Sequence, residues 1–138
     1  MRPPEDVKLD LVRQWLFKAE EDLGVAKVLF SSKTSFFATI GFHCQQAVEK
    51  FLKAFLTWHQ IEFPKTHDLV MLVNLAAAVD SLLGKALADV VVLNPYGVDV
   101  RYPGDFLEIT LAETEEAIQL AEKARTTILQ VLMKKIAP

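Results

Sequence analysis

The chain has 138 residues, of which 51% are hydrophobic, with only 5 Gly and 6 Pro and a formal net charge of −3. That length supports one domain with a substantial core, taken as 1–138, and the composition excludes a disordered or low-complexity chain. The acidic balance excludes a global field attractive to nucleic acid, so any such role must come from a local patch.

No apolar run reaches the ~18 residues of a membrane span, and the opening MRPPEDVKLD lacks the apolar core of a signal peptide. A cytoplasmic location is the resulting expectation. The single cysteine, Cys44, can neither staple the fold nor form a metal site alone, and reads as a small buried side chain.

Leu9, Val12, Leu16, Ala19, Leu23, Ala26 and Leu29 step by three and four, which predicts a first helix from about Pro4 to Phe30. After a break at Ser31 to Ser35, a second helix runs to about His59, with Ile40, Cys44, Val48, Phe51, Leu52, Phe55 and Leu56 on its apolar side. Thr66 is placed as the N-cap of a third helical region, with Asp68 in its first turn facing the positive end of the dipole. That region extends to about Leu93, with a weak point at Asp80 to Gly84, and Asn94-Pro95 ends it.

Tyr96 to Ile109 has no helical period and reads as an ordered loop, long for a compact domain. Thr110 and Glu113 form a capping box that opens a last helix ending near Ile136. There is no internal repeat. The fold class is therefore all-α, with an antiparallel up-and-down four-helix bundle as the simplest architecture and room for an extra short helix.

The chemistry concentrates on the second helix. At 100° per residue, His43, Gln46, Ala47, Lys50, Lys53, Ala54 and Thr57 fall within about 120° of one another, opposite the apolar stripe. Glu49 is placed to the side, so the stripe reads as net basic. It is either a solvated face or subunit contact, or an anion site about 15 Å long between His43 and Lys53.

In an up-down bundle, Arg101 and Tyr102 reach the His43 end, while His67 and Asp68 lie at the other end, beyond Lys53. An Arg beside a ring suits phosphate and base contacts, although Arg101 can equally pin its loop through Asp99 or Asp105. Glu20, Glu21 and Asp22 read as a solvated acidic face. No metal site is expected, since His43 and His59 point to nearly opposite sides of one helix, and Cys44 faces the core. Phosphate-loop, dinucleotide and nucleophile-elbow motifs are absent.

The blocks FHCQQAVEKFLKAFL, KTHDLVML, VRYPGD and TLAETEEAIQLAEKARTTIL, in that order, closely resemble the HEPN domain family (higher eukaryotes and prokaryotes nucleotide-binding) from about Val12 to Met133. The resemblance implies a homodimerising helical bundle, often paired with a minimal nucleotidyltransferase in a toxin-antitoxin-like unit. Some members cleave RNA and others bind nucleotides or RNA. No cofactor is implied. Ribonuclease members carry an Arg followed by a His after four to six residues, at which His would act as general acid/base and Arg would stabilise the phosphorane.

No His stands in that window after Arg2, Arg13, Arg101 or Arg125. What matches is a subgroup pattern: His43, Gln46, Glu49, Lys50 and Lys53, then His67-Asp68, then Arg101-Tyr102-Pro103. The leading expectation is a non-catalytic nucleotide- or RNA-binding module. In it Lys50, Lys53 and Arg101 contact phosphate, and His43, His67 and Tyr102 orient or stack on the ligand, with Gln46 and Asp68 also in the site. The alternative is a metal-independent endoribonuclease drawing on His43, His67 and Arg101.

Overall fold

The computed structural model describes residues 4–97 and 108–136, and among these every regular element is a helix. Helix α1 spans Pro4–Ser31, α2 Phe37–Trp58, α3 Leu69–Val79, α4 Ser81–Ala86 and α5 Leu111–Ile136, with a 3-10 helix at Ala88–Gly97 between the last two. The all-α bundle expected from the periodicity is the architecture observed.

Helix α2 is its centre and packs against α1, α5, α3 and the 3-10 helix. Ile40, Cys44, Val48, Phe51, Leu52, Phe55 and Leu56 are fully buried, as the apolar period requires. So are Ala47 and Ala54, which the sequence placed on a polar face. A helix apolar over so much of its circumference is stable only when enclosed on most sides. Burial pushes the Cys44 thiol up to about 12, so the side chain acts as a small apolar group.

Cross-helix contacts fix the directions. Lys8 lies over the Trp58 ring, Trp15 lies near Lys53, and Asp22 meets His43 and Lys50, so α1 and α2 run antiparallel. Glu20 meets Arg125, and Lys27 pairs with Glu122, so α5 is also antiparallel to α1. The capping box at the head of α5 is closed on both sides. Thr110 N donates to Glu113 Oε1 and Glu113 N donates to Thr110 Oγ1, each at 3.0 Å.

The third helical region departs from a single long helix. Asp68, not Thr66, is the N-cap of α3: its carboxylate accepts from Val70 N at 2.9 Å, while Thr66 Oγ1 accepts from Asp68 N. At Asp80 the backbone turns to an extended conformation, and its carboxylate caps α4 through Leu83 N. The break therefore belongs to Asp80, and Gly84 sits inside α4.

The chain then doubles back. Asn94 Oδ1 accepts from Leu69 N at 2.8 Å, and Asn94 Nδ2 donates to Asp68, so the end of the 3-10 helix returns to the start of α3. Pro95 does not end the helical run, because the 3-10 helix continues to Gly97. Arg101, Tyr102 and Pro103 lie outside the described residues.

His59, at the C-terminal end of α2, packs on Phe55 with ring centroids 4.5 Å apart, and burial together with Lys135 lowers its pKa. It takes no part in the polar cluster described below.

Gly84 allows this doubling back. A Cβ there would lie 2.3 Å from Ala77 Cβ and 2.8 Å from Ala77 Cα, so α3 and α4 approach only because the side chain is absent. An Ala in a helix is favoured over Gly by about 1 kcal/mol, but overpacking against backbone costs about 1–3 kcal/mol. Gly84→Ala is therefore expected to lower the unfolding free energy, read from urea denaturation. A more stable variant would show that the approach relaxes freely.

Candidate functional site

The polar positions of α2 form a connected network, most of it below the surface. Asp22, on the flank of α1, accepts from His43 Nδ1 at 2.8 Å and from Lys50 Nζ at 2.5 Å. Half a turn away from that pair, Glu49 is only 3% exposed; its Oε1 meets His67 Nδ1 at 2.8 Å and its Oε2 accepts from Lys53 Nζ at 3.0 Å. Gln46 joins the two halves, with Nε2 donating to Gln45 Oε1 at 2.8 Å and to Glu49 Oε1 at 3.4 Å. Gln45, fully buried, donates in turn to the His67 carbonyl at 2.9 Å.

Several sequence-based placements change. His67 does not lie beyond Lys53; its carbonyl and its ring bind Gln45 and Glu49, in the first half of α2. Glu49 is not off to the side but at the centre of the network. Asp22 is not part of a solvated acidic face: its carboxylate is largely buried against two α2 side chains, whereas Glu20 and Glu21 are exposed.

Lys53 is not an open surface cation. Its side chain is 7% exposed, and its ammonium stands over Trp15 and Phe63, with ring centroids 5.4 and 5.7 Å away. Asp68 is occupied as a cap, and the hydrogen bond from Asn94, ahead of that from Val70, holds its carboxyl below the usual carboxylate range.

The charge balance follows from these partners. Lys50 and Lys53 are matched by Asp22 and Glu49, so the stripe is not net basic through its lysines. Any excess positive charge within it must come from His43 and His67 in their protonated forms. Both imidazoles bond to carboxylate through Nδ1, which orients the ring and leaves Nε2 as its other hydrogen-bonding position. His67 is 73% exposed, His43 about a quarter, and Lys50 borders the same surface. The last described residue before the loop, Gly97, packs on Gln45: a Cβ there would lie 2.7 Å from Gln45 Cδ. Chain entering the loop therefore leaves beside this network.

Asp22 and Gln45 were missed from sequence, and Glu49 was misplaced, although signals existed for two of them. Asp22 is seven residues from both Trp15 and Leu29, which pack at the core edge, and Glu49 stands four residues before Lys53, the favourable order for a helical ion pair. Among the described residues no group of three or more His, Cys, Asp or Glu side chains could hold a metal ion. No helix among them is long and apolar enough to cross a membrane.

The fold and network define an all-α bundle organised around a central helix with two histidine-carboxylate pairs. A family model for the HEPN domain matches residues 12–132, and the chain belongs to that family, a class of helical modules associated with nucleotides and RNA whose members often dimerise. A search of curated proteins finds no match.

The buried ion pair gives a direct test of which part of the network is structural. Removing one partner of a buried pair leaves an uncompensated charge and costs about 3–5 kcal/mol, whereas replacing both by apolar groups is often neutral. Glu49→Leu is expected to destabilise the fold by about 3 kcal/mol, and Glu49→Leu with Lys53→Met to recover most of it in chemical denaturation. Equal losses in the single and double variants would show that the pair is not coupled.

Proposed function

We propose that the chain is a non-catalytic binding module for a nucleotide or a short stretch of RNA. Its phosphate contacts come from Lys50 and the protonated imidazoles of His43 and His67. What supports this reading is one observation: both imidazoles are oriented through Nδ1 by buried carboxylates beside Lys50, in a domain of a nucleotide-associated family. Gln46 sets the spacing between the two halves and Lys53 supports Glu49 from below, which replaces the phosphate role that the sequence suggested for Lys53. Arg101 and Tyr102 retain the ligand-facing roles implied by the family pattern, and Asp68 fixes the segment that carries His67.

The module would act as the partner of a minimal nucleotidyltransferase in a toxin-antitoxin-like pair, as a homodimer in the cytoplasm. Support for this part comes from the resemblance of VRYPGD and KTHDLVML to that subgroup.

Because lysines and carboxylates cancel, binding should depend on imidazole charge. Anisotropy with a labelled single-stranded RNA is expected to show affinity rising as pH falls from about 8 to about 6 and falling with salt. Lys50→Ala with His43→Gln should weaken binding by about tenfold or more while the circular dichroism spectrum is unchanged. Unaltered affinity in that folded double variant overturns the reading.

The same histidine-carboxylate pairs favour one second reading, a metal-independent endoribonuclease, since a carboxylate at Nδ1 is how a general acid/base imidazole is held in its working tautomer. It requires RNA cleavage in the presence of chelator that His43→Ala or His67→Ala abolishes. Absence of cleavage, or cleavage indifferent to both changes, removes it.

A further inference from the structure

Helix α1 is buried along Val12, Ala19, Leu23 and Ala26, and its opposite side is not the charged surface that an outer helix normally presents. Phe17 is 70% exposed and Val28 64%, with Val7, Leu11 and Val25 also open. At 100° per residue these five, together with Gln14, Lys18 and Glu21, lie within an arc of about 120° running the length of the helix. On the Phe17 flank stands Gly24, an exposed glycine in mid-helix whose missing Cβ would meet nothing within 4 Å. No packing inside the chain accounts for it, although Gly there costs about 1 kcal/mol relative to Ala.

The surface also has the relief of a helix-pairing seam. One shallow depression is lined by Leu11, Gln14, Trp15 and Lys18, the i, i+3, i+4, i+7 diamond that receives a side chain from a facing helix. A second, lined by Asp10, Arg13, Gln14, Phe17 and Lys18, adjoins it. Lys18 and Glu21 lie between the apolar ends of the row.

We infer that this face docks a second copy of the chain, α1 against α1, antiparallel and in the register that sets Lys18 opposite Glu21 of the second copy. Charge chooses the direction: a parallel two-fold pair places Lys18 against Lys18 and Glu21 against Glu21, whereas the antiparallel pair makes two symmetric opposite-charge contacts. The same register sets Leu11 opposite Val28 and Gln14 opposite Val25 of the second copy, so Val25 enters the Leu11, Gln14, Trp15, Lys18 depression. Two-fold symmetry keeps each flank on its own side, which brings the Phe17 ring near Gly24 of the second copy, where no Cβ obstructs it. Each self-pairing contact is made twice. The inference stands independently of the ligand site, which lies on the other edge of α1.

Orientation-specific cross-linking of the full chain decides it. Leu11→Cys and Val28→Cys are made separately, each at an exposed or half-exposed position, while native Cys44 is buried and inert. Under mild oxidation, an equimolar mixture is expected to form the mixed disulfide dimer, and Leu11→Cys alone little or none, because its two copies would lie about 25 Å apart along the seam. Sedimentation of the native chain should show a dimer, which Phe17→Glu with Val25→Lys shifts at least tenfold towards monomer. Lys18→Glu should weaken it, and Lys18→Glu with Glu21→Lys restore it. Self-linking of Leu11→Cys, no linking at all, or a dimer indifferent to the Phe17 and Val25 changes overturns the inference.

Discussion

A carboxylate 3% exposed in the middle of the central helix is the constraint around which the other elements are arranged. An ionised side chain in that environment costs several kcal/mol unless both oxygens are satisfied. Lys53, one turn along α2, satisfies one. The other requires a donor from outside the helix, and the chain supplies it by bringing the segment after α2 back far enough for His67 to reach Glu49, where Gln45 also holds the His67 carbonyl. That return fixes where α3 begins. Asp68 caps it, and Asn94 ties the far end of the 3-10 helix to the same point, so the position of the third region follows from the satisfaction of one buried charge.

The Asp22 half of the network is built on the same rule with different exposure. A short acidic side chain on the flank of α1 meets two longer basic ones from α2, and burial of the carboxylate exceeds that of either partner. The result is a surface whose anionic groups are held below and whose donor groups reach outwards. Such an arrangement keeps formal charge near balance while still presenting hydrogen-bond donors, which suits reversible contact with phosphate better than an open row of lysines that would bind any polyanion.

Much of the fold could be read from periodicity. The limits of α1 and α5, the apolar side of α2 and the capping box at Thr110 are local features, set by spacing within a turn or two. What spacing could not give was the far partner. His67 was placed at the wrong end because one long third helix was assumed, and the fold-back rests on Gly84 meeting Ala77 and on Asn94 meeting Asp68, contacts across many residues. The stripe on α2 was legible as a set, since His43, Gln46 and Lys50 do share one network. Its charge was not, because Asp22 comes from another helix and Glu49 was judged by its angle rather than by its favourable spacing to Lys53.

Helix α1 therefore serves two sides with different chemistry. Its inner face carries small residues, Ala19 and Ala26, that let α2 approach closely, and its flank carries Asp22, whose position depends on that close approach. Its outer face carries the large apolar side chains that an isolated domain of this size has no reason to expose as a row. Helix pairing on the outer face would hold α1 straight along the segment that bears Asp22 without touching the network itself. Self-association and ligand recognition would then be linked only through the rigidity of one helix, so a surface change at Phe17 and a site change at Lys50 should combine additively rather than cooperatively.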